Sequence, residues 1–176
     1  HIDYITIATT GNAITFGNLS TVRHGSAAVS DGTKGVFGGG MTTNAFSSAV
    51  NIIEYITIAT TGNAIYFGDL TNRRTNISAA SDGSRGVFTP GTDNASSTSF
   101  TIDYITIATL SNATYFGNGT FRDRSTAAAT SDGTRGVMGG GTFADISYFT
   151  IAVPSDATYF GDLNAQRSNL AATSGG

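Results

Sequence analysis

The chain contains no cysteine, which excludes a disulfide, a thiolate nucleophile and a Cys-based metal site. It has two histidines, His1 at the start and His24 after Arg23, and no second internal histidine with which His24 could build a triad or a zinc site. Charge is sparse. Eight of the nine bases are Arg and eleven of the twelve acids are Asp, so the long flexible Lys and Glu of helical surfaces are almost missing and long helices are not expected. A net charge of -3 offers no basic field for nucleic acid. No signal peptide is recognisable and no apolar run is long enough to span a bilayer, so no membrane insertion is expected. The chain opens on His1 and closes on Gly175 and Gly176, and is expected to be an internal piece of a longer one.

What is present is one phrase said four times. It reads IDYITIATTGNAITFGNL from Ile2, IEYITIATTGNAIYFGDL from Ile53, IDYITIATLSNATYFGNG from Ile102 and ISYFTIAVPSDATYFGDL from Ile146. The closing Phe-Gly falls at Phe16, Phe67, Phe116 and Phe160, a period of about 45 to 50 residues that belongs to tandem repeat architectures stabilised by stacking neighbours. Gly, Thr, Ser, Ala and Asn, with aromatic and β-branched residues, suit short strands and tight turns.

Each unit reads as four short strands. A stretch of small residues follows an Arg: Gly25 to Ser30, Ser78 to Ser81, Ala127 to Ser131 and Leu170 to Ser174. Asp31-Gly32, Asp82-Gly83 and Asp132-Gly133 give a hairpin signal, reversing the chain into Gly35-Val36-Phe37, Gly86-Val87-Phe88 and Gly136-Val137-Met138. That second strand ends in Gly38-Gly39-Gly40 and Gly139-Gly140-Gly141, or in Thr89-Pro90-Gly91. The Tyr-Ile-Thr-Ile strand is apolar on both faces and is expected to be covered on both. Gly11-Asn12 is expected to turn it tightly into the Tyr-Phe-Gly strand.

Antiparallel four-stranded sheets at this period pack face to face around an axis as propeller blades, with the slimmest strand innermost. The expectation is an all-β propeller of about four blades, divided as 1–22, 23–73, 74–123, 124–166 and 167–176, the last blade split between the termini or incomplete. A β-solenoid fibre is the alternative.

The order of Arg, small residues, turn, apolar strand ending in Gly-Gly, Tyr-bearing strand and final aromatic resembles kelch repeats. Arg23, Arg74, Arg124 and Arg167 stand at the Arg position and Tyr4, Tyr55, Tyr104 and Tyr148 at the tyrosine. Phe16, Phe67, Phe116 and Phe160 stand where kelch blades usually carry Trp. The wording of the repeat also looks like repeats in predicted tail-fibre or structural proteins of marine bacteriophages. That resemblance implies a virion or extracellular location, with other virion proteins as partners.

The recurring Arg and Tyr residues are read as structural, the guanidinium bonding backbone carbonyls or an aromatic of the next blade. Asp3, Glu54 and Asp103, with Ser147 in the last copy, repeat like scaffold and are separated by whole blades, unlike an acid and base pair. No convergent acid, base, metal or nucleophile set is visible, and neither catalysis nor a cofactor is expected. The variable loops after the second and fourth strands should share one face. Phe46, Arg73, Phe100, Phe121, Arg122, Asp123 and Phe143 lie in or beside them and are the candidate ligand-binding residues. The expected function is therefore a non-enzymatic module of a tail fibre or adhesin that binds a host surface glycan or protein. The alternatives are a purely structural self-assembly module, in which a homo-oligomer completes the ring, and a carbohydrate-active enzyme.

Overall fold

The computed structural model describes residues 1–120 and 126–174. The chain is all-β, with one short 3-10 turn among the described residues, at Phe46–Ser48. In chain order the strands are β1 (Ile2–Tyr4), β2 (Ile14–Gly17), β3 (Ala27–Ser30), β4 (Lys34–Gly38), β5 (Ile52–Thr57), β6 (Ile65–Asp69), β7 (Arg74–Thr75), β8 (Ala79–Ser81) and β9 (Arg85–Phe88). They continue with β10 (Gly91–Asp93), β11 (Thr98–Ser99), β12 (Thr101–Thr106), β13 (Thr114–Asn118), β14 (Ala128–Ser131), β15 (Arg135–Gly139), β16 (Asp145–Thr150) and β17 (Thr158–Asp162).

Three sheets have the expected four strands in meander order: β3-β4-β5-β6, β8-β9-β12-β13 and β14-β15-β16-β17. Every pairing among the described residues is antiparallel. Small residues make each first strand, because β3 meets β8 and β8 meets β14 closely enough for Ser81 Oγ to donate to Ser30 O at 3.3 Å and Ser131 Oγ to Ser81 O at 2.8 Å. The fourth strands lie away from that crowding, with Tyr66, Tyr115 and Tyr159 half exposed.

The apolar cores lie between sheets rather than within one, because each sheet is apolar on both faces. Val29, Val36, Ile53 and Phe67 of the first complete sheet pack with Phe88, Ile105 and Ile107 of the second. Ala80, Val87, Ile102 and Phe116 of the second pack with Met138, Phe149, Ile151 and Ala157 of the third. In each unit the tyrosine meets the closing phenylalanine edge to face, as in Tyr55–Phe67 at 6.1 Å and Tyr104–Phe116 at 5.9 Å, a favoured aromatic arrangement. On those tyrosines lie Lys34 at 5.6 Å, Arg85 at 4.3 Å and Arg135 at 4.8 Å from the ring centres of Tyr55, Tyr104 and Tyr148.

The Asp-Gly signal does make the hairpins. Gly32, Gly83 and Gly133 take φ of +83°, +85° and +85°, and the Asp carboxylate accepts two backbone N–H groups, at 2.8 Å and 2.6 Å for Asp31. In each loop only the glycine is left-handed, and the Asp side chain closes the three residues between the strands.

Other expectations are corrected. The sheets number five among the described residues and do not close into a four-bladed ring. The opening unit supplies only β1 and β2, and an additional sheet, β11-β10-β7, forms from connecting segments. Leu170 to Ser174 forms no strand. Gly11-Asn12 is not a tight turn. Neither residue, nor its counterpart Gly62 or Asn63, has a positive φ, and the connection takes the seven residues 58–64 in the second copy.

The Asn instead ties one sheet to the next. Asn63 Oδ1 accepts from Asn18 N at 3.0 Å, Asn112 Oδ1 from Asp69 N at 3.0 Å, and Asp156 Oδ1 from Asn118 N at 2.8 Å. Beside each of these, Ala64 N, Ala113 N and Ala157 N donate at 2.8 Å to Asn18 O, Asp69 O and Asn118 O. The Phe-Gly glycine is needed here: a Cβ on Gly17, Gly68 or Gly117 would run into the carbonyl of Gly62, Ser111 or Ser155 on the next sheet.

Candidate functional site

Two of the recurring arginines, Arg23 and Arg74, are not set out toward solvent. Arg23 Nη2 lies 3.0 Å from Glu54 Oε2 and Arg74 Nη1 lies 2.8 Å from Asp103 Oδ2, with all four side chains buried. Each pair joins the segment before a first strand to the third strand of the same sheet. The carboxylates also hold the loop leaving the preceding sheet: Glu54 Oε1 accepts from Ser20 N at 2.9 Å, and Asp103 accepts from Thr71 N at 3.1 Å and Thr71 Oγ1 at 2.7 Å. Burial pulls both guanidinium pKa values below the ordinary arginine value, while the facing carboxylate opposes the shift; arginine nonetheless stays charged in proteins.

These ion pairs escaped the reading of the sequence, which assigned the arginines to backbone carbonyls or aromatics. Arg23 Nη2 does reach Phe37 O at 3.5 Å, but the main partner is the acid. The available signal was that Arg and acid recur together in the first copies. Where the last copy has Ser147, its Oγ lies 2.6 Å from Thr120 Oγ1. Asp3 is half exposed and meets His1 Nε2 at 2.8 Å. Arg167 is exposed, and its carbonyl accepts from Gly141 N at 2.8 Å.

Phe121, Arg122, Asp123 and Arg124 lie outside the described residues. Phe46 opens the 3-10 turn and is partly buried, Arg73 is exposed before β7, and Phe100 is partly buried between β11 and β12. No ring contact, hydrogen bond or ion pair joins Phe46, Arg73, Phe100 and Phe143 to one another among the described residues.

Phe143 faces a cleft, an open hollow of about 510 Å³ lined by Phe143, Ala144, Asp145, Tyr159 and Asp162. The short connection from β15 to β16 brings Phe143 there, and two bonds fasten it to the segment after β17: Leu163 N donates to Ala144 O at 2.6 Å, and Gln166 Nε2 donates to Thr142 O. Phe143 and Tyr159 are 47% and 50% exposed, so two aromatic surfaces face solvent at the rim. Tyr159 Oη donates to Asp162 Oδ2 at 2.7 Å, and that bond to the carboxylate holds the phenol pKa above its ordinary value. Tyr159 and Asp162 were not among the residues singled out from the sequence, because the repeat hides them among scaffold copies such as Tyr66 and Asp69, whose side chains make the same bond at 2.9 Å.

The arrangement can present two aromatic faces and the Asp162 carboxylate to a polyhydroxylated ligand. Among the described residues no three His, Asp or Glu side chains gather in a way that would hold a metal ion, and no helix is long and apolar enough to cross a membrane. No protein-family model matches the chain, and no curated protein matches it either.

Proposed function

We propose that the chain is part of a kelch-like β-propeller acting as a non-enzymatic binding module, carried on a phage tail fibre or adhesin, with a cell-surface glycan as its ligand. The observation that carries the reading is the cleft beside β17, where the exposed rings of Phe143 and Tyr159 stand beside the exposed carboxylate of Asp162. Aromatic faces pack on the apolar side of a sugar ring, and carboxylates accept its hydroxyls. Apolar cores between successive sheets and crowded first strands support the radial arrangement. All-antiparallel pairing favours it over a solenoid, whose coils pair in parallel. The virion setting rests on the likeness of the repeated phrase.

A glycan array, followed by saturation-transfer NMR on any positive, tests the reading. The expected result is binding to a limited set of glycans that Phe143→Ala weakens about tenfold, as loss of a stacked ring would. A uniformly blank array with folded protein would sink it, as would binding indifferent to Phe143→Ala and Tyr159→Ala. Turnover of a glycoside by the purified chain would replace it with an enzyme. The incomplete opening sheet favours a second reading, an assembly module whose sheets are completed by other chains.

A further inference from the structure

The opening sheet has an empty seat whose shape is known from three filled copies. In each four-stranded sheet the Tyr-bearing strand is six residues long and lies between the glycine-ended strand and the Tyr-Phe-Gly strand. β1 has only the second of these neighbours and is cut to three residues.

The filled copies give the register. Lys34, Gly35, Val36, Phe37 and Gly38 pair with Thr57, Ile56, Tyr55, Glu54 and Ile53, and the corresponding positions on the opening strand are Thr6, Ile5, Tyr4, Asp3 and Ile2. The basic residue of the filled strand lies over the ring of Tyr55, Tyr104 or Tyr148, while Tyr4 is 39% exposed. The valine of the filled strand packs with the next sheet: Val36 with Ile105 and Ile107, Val87 with Phe149 and Ile151. The missing valine would meet Ile56 and Ile58. Ile58 is 43% exposed, whereas Ile107 and Ile151 are fully buried. A groove of about 290 Å³ occupies that position, lined by Tyr4, Ile5, Ile56, Ile58 and their neighbours.

We propose that the edge of β1 is an acceptor for one added antiparallel strand of the pattern basic–Gly–Val followed by Phe or Met, belonging to a further repeat of this kind. The three strands of that type within the 176 residues are all seated in sheets already, so the occupant comes from outside them. Backbone pairing supplies affinity and the side-chain seats supply register, as in strand addition to an exposed sheet edge.

The probe is a synthetic peptide with the sequence of residues 31–40, added to the intact chain and read by isothermal titration and by amide exchange. Saturable binding is expected, with new protection confined to residues 2–6. A peptide carrying Val36→Asp should bind at least about tenfold more weakly, from loss of a buried valine. One carrying Lys34→Glu should bind about threefold more weakly, from loss of the cation over Tyr4. No binding at millimolar peptide would overturn the proposal. So would protection at β6 or β17 instead, or equal binding of the Val36→Asp peptide.

Discussion

Single side chains do unequal work here, and the buried ion pairs show it. Asp103 compensates a guanidinium that is itself out of contact with water, and Arg74 Nε and Nη2 find no hydrogen-bond partner among the described residues. Asp103→Asn should therefore cost about 3–5 kcal/mol in urea unfolding, since it strands a buried charge. The double change Arg74→Met with Asp103→Leu should cost less than that single one, because apolar residues of similar volume replace a buried pair at little loss. The turn aspartates behave differently. Backbone N–H groups, from Lys34 and Thr33 at Asp31 and from Arg135 and Thr134 at Asp132, hold those carboxyl groups below the usual range. A depressed folded-state pKa contributes stability that is present above the unfolded value of about 3.9 and is lost as pH falls through the folded value. The urea midpoint should accordingly be flat near neutrality and drop below about pH 4. The pair Asp31→Asn with Asp132→Asn, which keeps the acceptor oxygens and removes the titration, should flatten that drop.

At the scale of elements, the hairpins and the order of strands could be read directly, because Asp-Gly and alternating apolar runs act over a few residues. Gly-Asn could not, because what decides its shape is another sheet: Asn63 is satisfied by Asn18 N, forty-five residues away. The same distance concealed which glycine the contact requires. Gly68→Ala should destabilise by about 1–3 kcal/mol, since its Cβ would press on the Ser111 carbonyl and backbone yields poorly. Gly62→Ala, with nothing within 4 Å and no positive φ, should be neutral or stabilise by up to about 1 kcal/mol. Thermal melts of the two variants side by side test the assignment, and equal losses would refute it. The sheet β11-β10-β7 had no signature, because strands of two or three residues are too short to show a period.

For the whole molecule, stability should be graded along the array, because each sheet borrows its core from its neighbours. β12 is covered on both faces, with Ile102 and Ile105 buried, whereas Ile5 and Ile7 of the opening unit are 62% and 95% exposed. Native-state hydrogen exchange should find amides in β12 the slowest and those in β1 and β2 among the fastest, opening well below the global transition. Uniform protection across all sheets would contradict a stacked array. The repeat was plain in the sequence, and so was the crowding of the small-residue strands. Whether the sheets close was not, because closure depends on the fit between two ends that share no local pattern. The serine hydroxyls of the first strands carry a last consequence. Ser81 reaches back to Ser30, and Ser131 reaches back to Ser81, so donor and acceptor always point the same way along the series. Such a stack has a front and a back, and only growth of one polarity repeats the bond from serine hydroxyl to backbone carbonyl.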